Sequence, residues 1–128
     1  MVNIPFTYKP KIEGVRAGKI RQTIRFGRKI LVGEELLLYA WAGTPYRSKW
    51  AWKRPEVCTE SIPIRVSEHG LRFIGELSTL YLWDSPVVDD LARKDGIYPA
   101  TGVELGRVLT TGGHKVPDGG LDGRIVRW

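Results

Sequence analysis

"GVRAGKIRQTIRFGRKILVGEELLLYAW", residues 14–41, decides how this chain folds. Six cations lie between Arg16 and Lys29, and none occurs from Ile30 to Trp41. In "RQTIRF", 21–26, β-branched residues sit in the middle and cations outside. That pattern predicts a strand whose alternate residues face a cleft. Gly33-Glu34 marks a turn. The continuous apolar run "ELLLYAW", 35–41, suits a strand buried on both faces.

Upstream, "NIPFTY", 3–8, reads as a strand entering the core. "KPKIEGVRAGK", 9–19, holds one or two helical turns, with Ile12 and Val15 inward at a spacing of three and Gly18 as the stop. Downstream, "GTPY", 43–46, is loop chemistry. "KWAWKRPEVC", 49–58, is a second cluster of cations, now with aromatics. If it is extended, Trp50 and Trp52 share one face, and Lys49, Ala51 and Lys53 the other. "SIPIRVSE" and "RFIGELSTLYLW" are strand candidates joined near His69-Gly70.

Residues 85–96 carry every signal of a helix. Ser85 is an N-cap, Pro86 fills the first position, Asp89 and Asp90 lie in the first turn, Arg93 and Lys94 at the end, and Gly96 stops it. Residues 97–120 are glycine-rich, and "TTGGHKVPDGG" reads as a flexible loop. "LDGRIVRW" closes the chain as a strand. The pattern predicts one α+β domain over 1–128, a small β-barrel with flanking helices. Trp41, Trp83 and Trp128 are expected in its core.

With 42% hydrophobic residues in 128, the chain can bury a real core. It has no apolar run of about 18 residues, so no membrane partner is expected. A single cysteine, Cys58, with only His69 and His114 beside it, argues against a disulfide and a metal site. The expectation is a reduced, cytoplasmic protein without cofactor. The net charge of +6 is unevenly spread. Residues 1–58 hold 12 Lys+Arg and 4 Asp+Glu, net +8, whereas residues 59–128 hold 8 and 10, net −2. A one-sided positive field attracts polyanions; the alternative is a solvated surface that keeps the protein soluble.

Taken in order, "AGKIRQTIRF", the Gly-Glu turn before an apolar strand, "LARKDGI" and the closing "GRIVRW" resemble the ASCH domain of the PUA-like superfamily. Members of that family open on "AGRKTxTxR", follow with an "A-x-x-D/E-G" helix end, and finish on a "V-x-x-W"-like strand. The counterparts here are Ala17-Gly18, Thr23 and Arg25, then Ala92, Asp95 and Gly96, then Val126 and Trp128. The resemblance implies a PUA-like barrel with a cleft between barrel and helices, and an RNA or nucleotide partner. It also implies two enzymatic alternatives. One is a metal-independent amidohydrolase acting on N4-acetylcytidine through Lys, Thr and an acid; the other is a ribonuclease. The family's lysine, three residues before its threonine, is replaced here by Ile20, and Lys19 stands one place earlier. A shift of one residue turns a strand side chain to the other face.

Lys19, Thr23 and Asp95 are therefore the catalytic candidates. A threonine hydroxyl needs a base, and a lysine serves once desolvation and nearby cations depress its pKa. The plain structural alternatives are a solvated lysine, a strand threonine and a helix-end aspartate. Binding asks less. Arg21, Arg25 and Arg28 offer forked donors to phosphate. Trp50 and Trp52, interleaved with Arg47, Lys49, Lys53 and Arg54, offer stacking with backbone cations, as single-stranded nucleic acid requires. The loss of the family lysine favours a binding protein with a degenerate active site. Exposed tryptophans also suit a protein-interaction module.

Overall fold

The computed structural model describes residues 1–74, 79–111, 116–117 and 119–128. Residues 112–115, with His114, and 118 of the loop expected at 110–120, and 75–78 of the 72–83 segment, lie outside these residues. Among the described residues the chain forms eight strands in two sheets, with three helices.

The first sheet contains β1 (Val2–Phe6), β3 (Glu35–Trp41) and β4 (Trp50–Val57), in the order β1-β3-β4. β3 is its centre, parallel to β1 and antiparallel to β4. That position explains its unbroken apolar run: Leu36, Leu38, Tyr39 and Ala40 are all buried. The second sheet runs in the order β2 (Gln22–Phe26), β8 (Leu121–Arg127), β5 (Glu60–Val66), β6 (Gly70–Phe73), β7 (Leu80–Leu82), and is antiparallel throughout. The chain passes from one sheet to the other at Cys58-Thr59. There the Cys58 N–H donates to Glu34 O, just before β3 of the first sheet, and the Thr59 N–H to Arg127 O in the second. The ladders do not close into a barrel among the described residues.

Two cores follow. Val2, Ile4, Phe6, Leu36 and Leu38 pack with Val126 and Trp128 and with Val15 of α1 (Lys9–Arg16). On the other side, Ile24, Ile64, Val66, Leu71 and Ile125 pack against Val88, Leu91 and Ala92 of α2 (Pro86–Asp95) and Leu105 and Leu109 of α3 (Gly102–Thr111). β2 lies between the helices and the first sheet, so its two faces meet different surroundings.

α2 is built as its sequence predicts. Ser85 Oγ accepts from the Val87 N–H, and Gly96 takes the left-handed conformation with φ 78°. The sequence pattern assigns no element to the glycine-rich stretch before residue 110, where α3 forms, and α3 also takes in Thr110 and Thr111 from the start of the expected loop. Thr101 Oγ1 accepts from the Glu104 N–H, and Asp89 Oδ1 accepts from the Gly102 N–H. Glycine within α3 serves packing: a Cβ at Gly106 would lie 2.5 Å from Trp83 Cδ2. Trp128 is core, whereas Trp41 and Trp83 are only partly buried.

Trp50 and Trp52 do not share a face. A register shift where Trp41 pairs with Trp50 inserts a β-bulge into the β3–β4 ladder. Trp50 consequently stacks on Tyr39 at 4.1 Å, on the outer face, while Trp52 packs against the first core.

Candidate functional site

Thr23 and Arg25 share one face of β2, where Arg25 reaches Pro5 O of β1 and lies over the Phe6 ring. Together with Lys11 and Asp95 they line a cavity of about 440 Å³, whose apolar wall includes Phe6, Tyr8, Phe26 and Ile97. That volume is within the usual size range of a small-ligand pocket. Tyr8 is fixed in this wall by its hydroxyl, which donates to Tyr98 O and accepts from the Tyr98 N–H.

The polar wall is an ordered network. Lys11 Nζ donates to Asp95 Oδ2 at 3.2 Å, and both side chains are only 6% exposed. Gln22 Nε2 donates to Leu91 O at 3.3 Å and reaches Asp95 Oδ1 at 3.5 Å. Arg127 Nε donates to Gln22 Oε1 at 2.9 Å. Arg25 Nη2 donates to Pro5 O at 2.6 Å, and Arg25 Nε to Thr23 Oγ1 at 3.2 Å. Lys11 and Arg25 both lie over the Phe6 ring, at 5.3 and 5.0 Å from its centroid.

Burial sets the electrostatics. Desolvation raises the Asp95 carboxyl above its ordinary value, against the pull of Lys11, Gln22 and Arg25. Desolvation likewise lowers the Lys11 ammonium; Asp95 opposes this and Arg25 adds to it. Burial brings the Arg25 guanidinium down to about 10, so it remains charged at neutral pH. Burial and the nearby Arg25 favour loss of the Lys11 proton, whereas the adjacent Asp95 carboxylate favours keeping it.

The candidates separate clearly on this map. Thr23, Arg25 and Asp95 come together at the cavity. Lys19 does not: it is exposed and lines a different depression with Arg21, Arg93, Lys94 and Arg127. The amine at the cavity is Lys11, which sequence reasoning missed. Lys11 lies one helical turn before Val15, and these two are the buried residues of α1. A lysine at i to a core valine at i+4 was the available signal. The expected inward pair of Ile12 and Val15 is half right, since Ile12 is only partly buried against the first core.

The binding candidates are similarly divided. Arg21 donates to Trp128 O at 2.8 Å, and Arg28 is ion-paired with Glu34 at 3.4 Å. Arg54 is tied to Glu56 and to Arg16 O. Arg47, Lys49 and Lys53 are exposed. Lys53 is paired in register with Tyr39, on the face where Tyr39, Trp41, Tyr46 and Trp50 form an aromatic cluster. Trp52 is excluded from this cluster by the bulge.

Among the described residues, no three His, Cys, Asp or Glu side chains are grouped as a metal site would need, and no helix is long and apolar enough to cross a membrane. Comparison with family models, with curated proteins and with solved structures finds no match to this chain.

Proposed function

We propose that the protein binds a nucleoside, free or within an RNA strand, in the cavity between β2, α1 and the end of α2. The observation that carries this is the shared cavity of Lys11, Thr23, Arg25 and Asp95. Cationic donors beside a carboxylate acceptor complement a ligand edge with adjacent C=O and N–H groups, as a pyrimidine or an amide presents. The flat walls of Phe6 and Phe26 suit the faces of such a ring. The aromatic cluster of Tyr39, Trp41, Tyr46 and Trp50, with Arg47, Lys49 and Lys53 around it, would take neighbouring nucleotides of a strand. On this reading the chain is an ASCH-type domain, and its two sheets, joined at Cys58-Thr59, correspond to a small PUA-like barrel.

The buried amine favours a second reading, metal-independent hydrolysis of an acylated nucleoside. Water adds to the amide carbonyl carbon, the C–N bond breaks, and the leaving nitrogen takes a proton, giving the carboxylic acid and the free amine. Lys11, once relieved of its proton, would be the base. Thr23 accepts from Arg25 at rest, which leaves its own hydroxyl proton as a donor to the ligand. In this scheme Lys11 does the work that the family assigns to the position of Ile20.

The test is a calorimetric titration with N4-acetylcytidine, with chromatography of the same mixture for cytidine and acetate. Saturable binding that weakens by about tenfold in Thr23→Val, through loss of a hydrogen bond to ligand, is expected. Cytidine formation that is lost in the variant would establish the hydrolytic reading. Absence of both binding and product across nucleosides would overturn the proposal.

A further inference from the structure

Gln22, which reaches Asp95 at 3.5 Å, lines a second depression of about 370 Å³. Five cations line that depression: Lys19, Arg21, Arg93, Lys94 and Arg127. Among the described residues Glu60 is the one carboxylate in the lining. They come from three places far apart in the chain: the turn before β2, the last turn of α2 and the end of β8. Arg93 and Lys94 stand where a helix C-terminus favours positive charge, and both contact Asp90, at 2.6 and 3.1 Å. The helix does not account for the other three. Arg21 lies 3.8 Å from Glu56, which Arg54 also pairs, and donates to Trp128 O, while Arg127 lies 3.1 Å from Glu60 and donates to Gln22. The Lys19 ammonium makes no ion pair among the described residues.

Five like charges around one concavity repel one another, and the three carboxylates Asp90, Glu56 and Glu60 offset them only in part. An anion seated there would remove the imbalance. We infer that this depression is a phosphate-binding site, separate from the nucleoside cavity. Three arginines supply forked donors suited to the oxygens of a phosphate mono- or diester, and two lysines add point charge. A chain of hydrogen bonds links the two sites: Arg127 holds Gln22, and Gln22 reaches Asp95. The phosphate can be a free ion or part of a strand. Only the second source rests on the nucleoside reading.

The test follows backbone amides by NMR while inorganic phosphate is added at low salt. Saturable shifts are expected at residues 19–22, 93–94 and 127. In Arg93→Ser/Lys94→Ser, whose spectrum also reports that it is folded, the affinity should fall by about tenfold, as expected for losing a charged hydrogen-bond donor. Lys9→Ser/Arg65→Ser, two exposed cations that line neither the depression nor the cavity, should bind as wild type. Equal weakening in both variants, or shifts that follow every basic residue without saturating, would overturn the site. A short single-stranded oligonucleotide displaced from these amides by phosphate identifies a strand phosphate. Phosphate binding without such competition identifies the free ion. Cytidine added alone reports on Lys11, Thr23 and Asp95, so failure of the cavity and failure of this site are seen separately.

Discussion

Lys11 and Lys53 both belong to the basic first half of the chain, and they meet opposite fates. Lys11 is 4% exposed, held against Asp95 and over the Phe6 ring. Lys53 is exposed on the outer face of β4, beside an aromatic cluster. The first is fixed in place, because a buried charge is tolerated only with its partner and its hydrogen bonds in position. The second keeps its hydration and its freedom, so it can act on a distant polyanion but cannot define a geometry. The total charge of a segment therefore says little about which of its cations builds a site.

The contrast is broken most severely by removing one partner of the buried pair. Lys11→Met alone should cost about 3–5 kcal/mol of stability, since it strands the Asp95 carboxylate in the core. Lys11→Met/Asp95→Leu should recover most of that loss, whereas Lys53→Ala should stay within about 0.5 kcal/mol of wild type. Denaturant unfolding of the three variants measures all of this. A small loss in the single variant would place water, not protein, around Lys11.

The pH dependence of the same single variant sharpens the comparison. The Asp95 carboxyl is already raised by burial, and Lys11 is the main influence holding it down. Without Lys11 it rises further. An acid whose folded-state pKa lies above its unfolded value contributes stability that is present below the unfolded value and lost as pH rises through the folded one. Lys11→Met should therefore melt at lower temperature as pH is raised from the ordinary carboxylate range toward neutrality. Lys11→Met/Asp95→Asn should show no such trend. Parallel melting curves for the two would contradict this electrostatic account.

The smallest effect is expected on the exposed side. If Lys49 and Lys53 touch the backbone of a bound strand, each replacement by Ala should flatten the slope of log affinity against log salt by about 0.7 for single-stranded RNA. The loss should be uniform across sequences. An unchanged slope would remove the outer face of β4 from the nucleic-acid interface.

Much of this architecture is readable from local signals, and the failures have identifiable causes. α2 is legible because its cap, first-turn acids, last-turn cations and terminal glycine all act within one helix. Thr23, Arg25 and Asp95 are legible from the order of short motifs. α3 carries a capping signal in Thr101 and Glu104, yet Gly102 and Gly106 hide it. Those glycines depress helix propensity, and what they gain is close approach to Trp83, a contact distant in sequence. The opposite faces of Trp50 and Trp52 depend on a bulge, which alternation alone does not reveal. Lys11 was overlooked because a charged residue on the core face of a short helix contradicts amphipathic patterning. Its reason for being there, Asp95, lies 84 residues away.

The central claim is that the lysine of the site is Lys11, reaching the cavity from α1, and not Lys19. It is tested most directly by the affinity of N4-acetylcytidine for Lys11→Gln and Lys19→Gln, both first shown to be folded. Loss of a charged hydrogen bond to the ligand should weaken binding by about tenfold or more in Lys11→Gln. Lys19→Gln should bind as wild type. Wild-type affinity in Lys11→Gln together with a loss in Lys19→Gln would contradict the account and return the site to the lysine nearest the threonine in sequence.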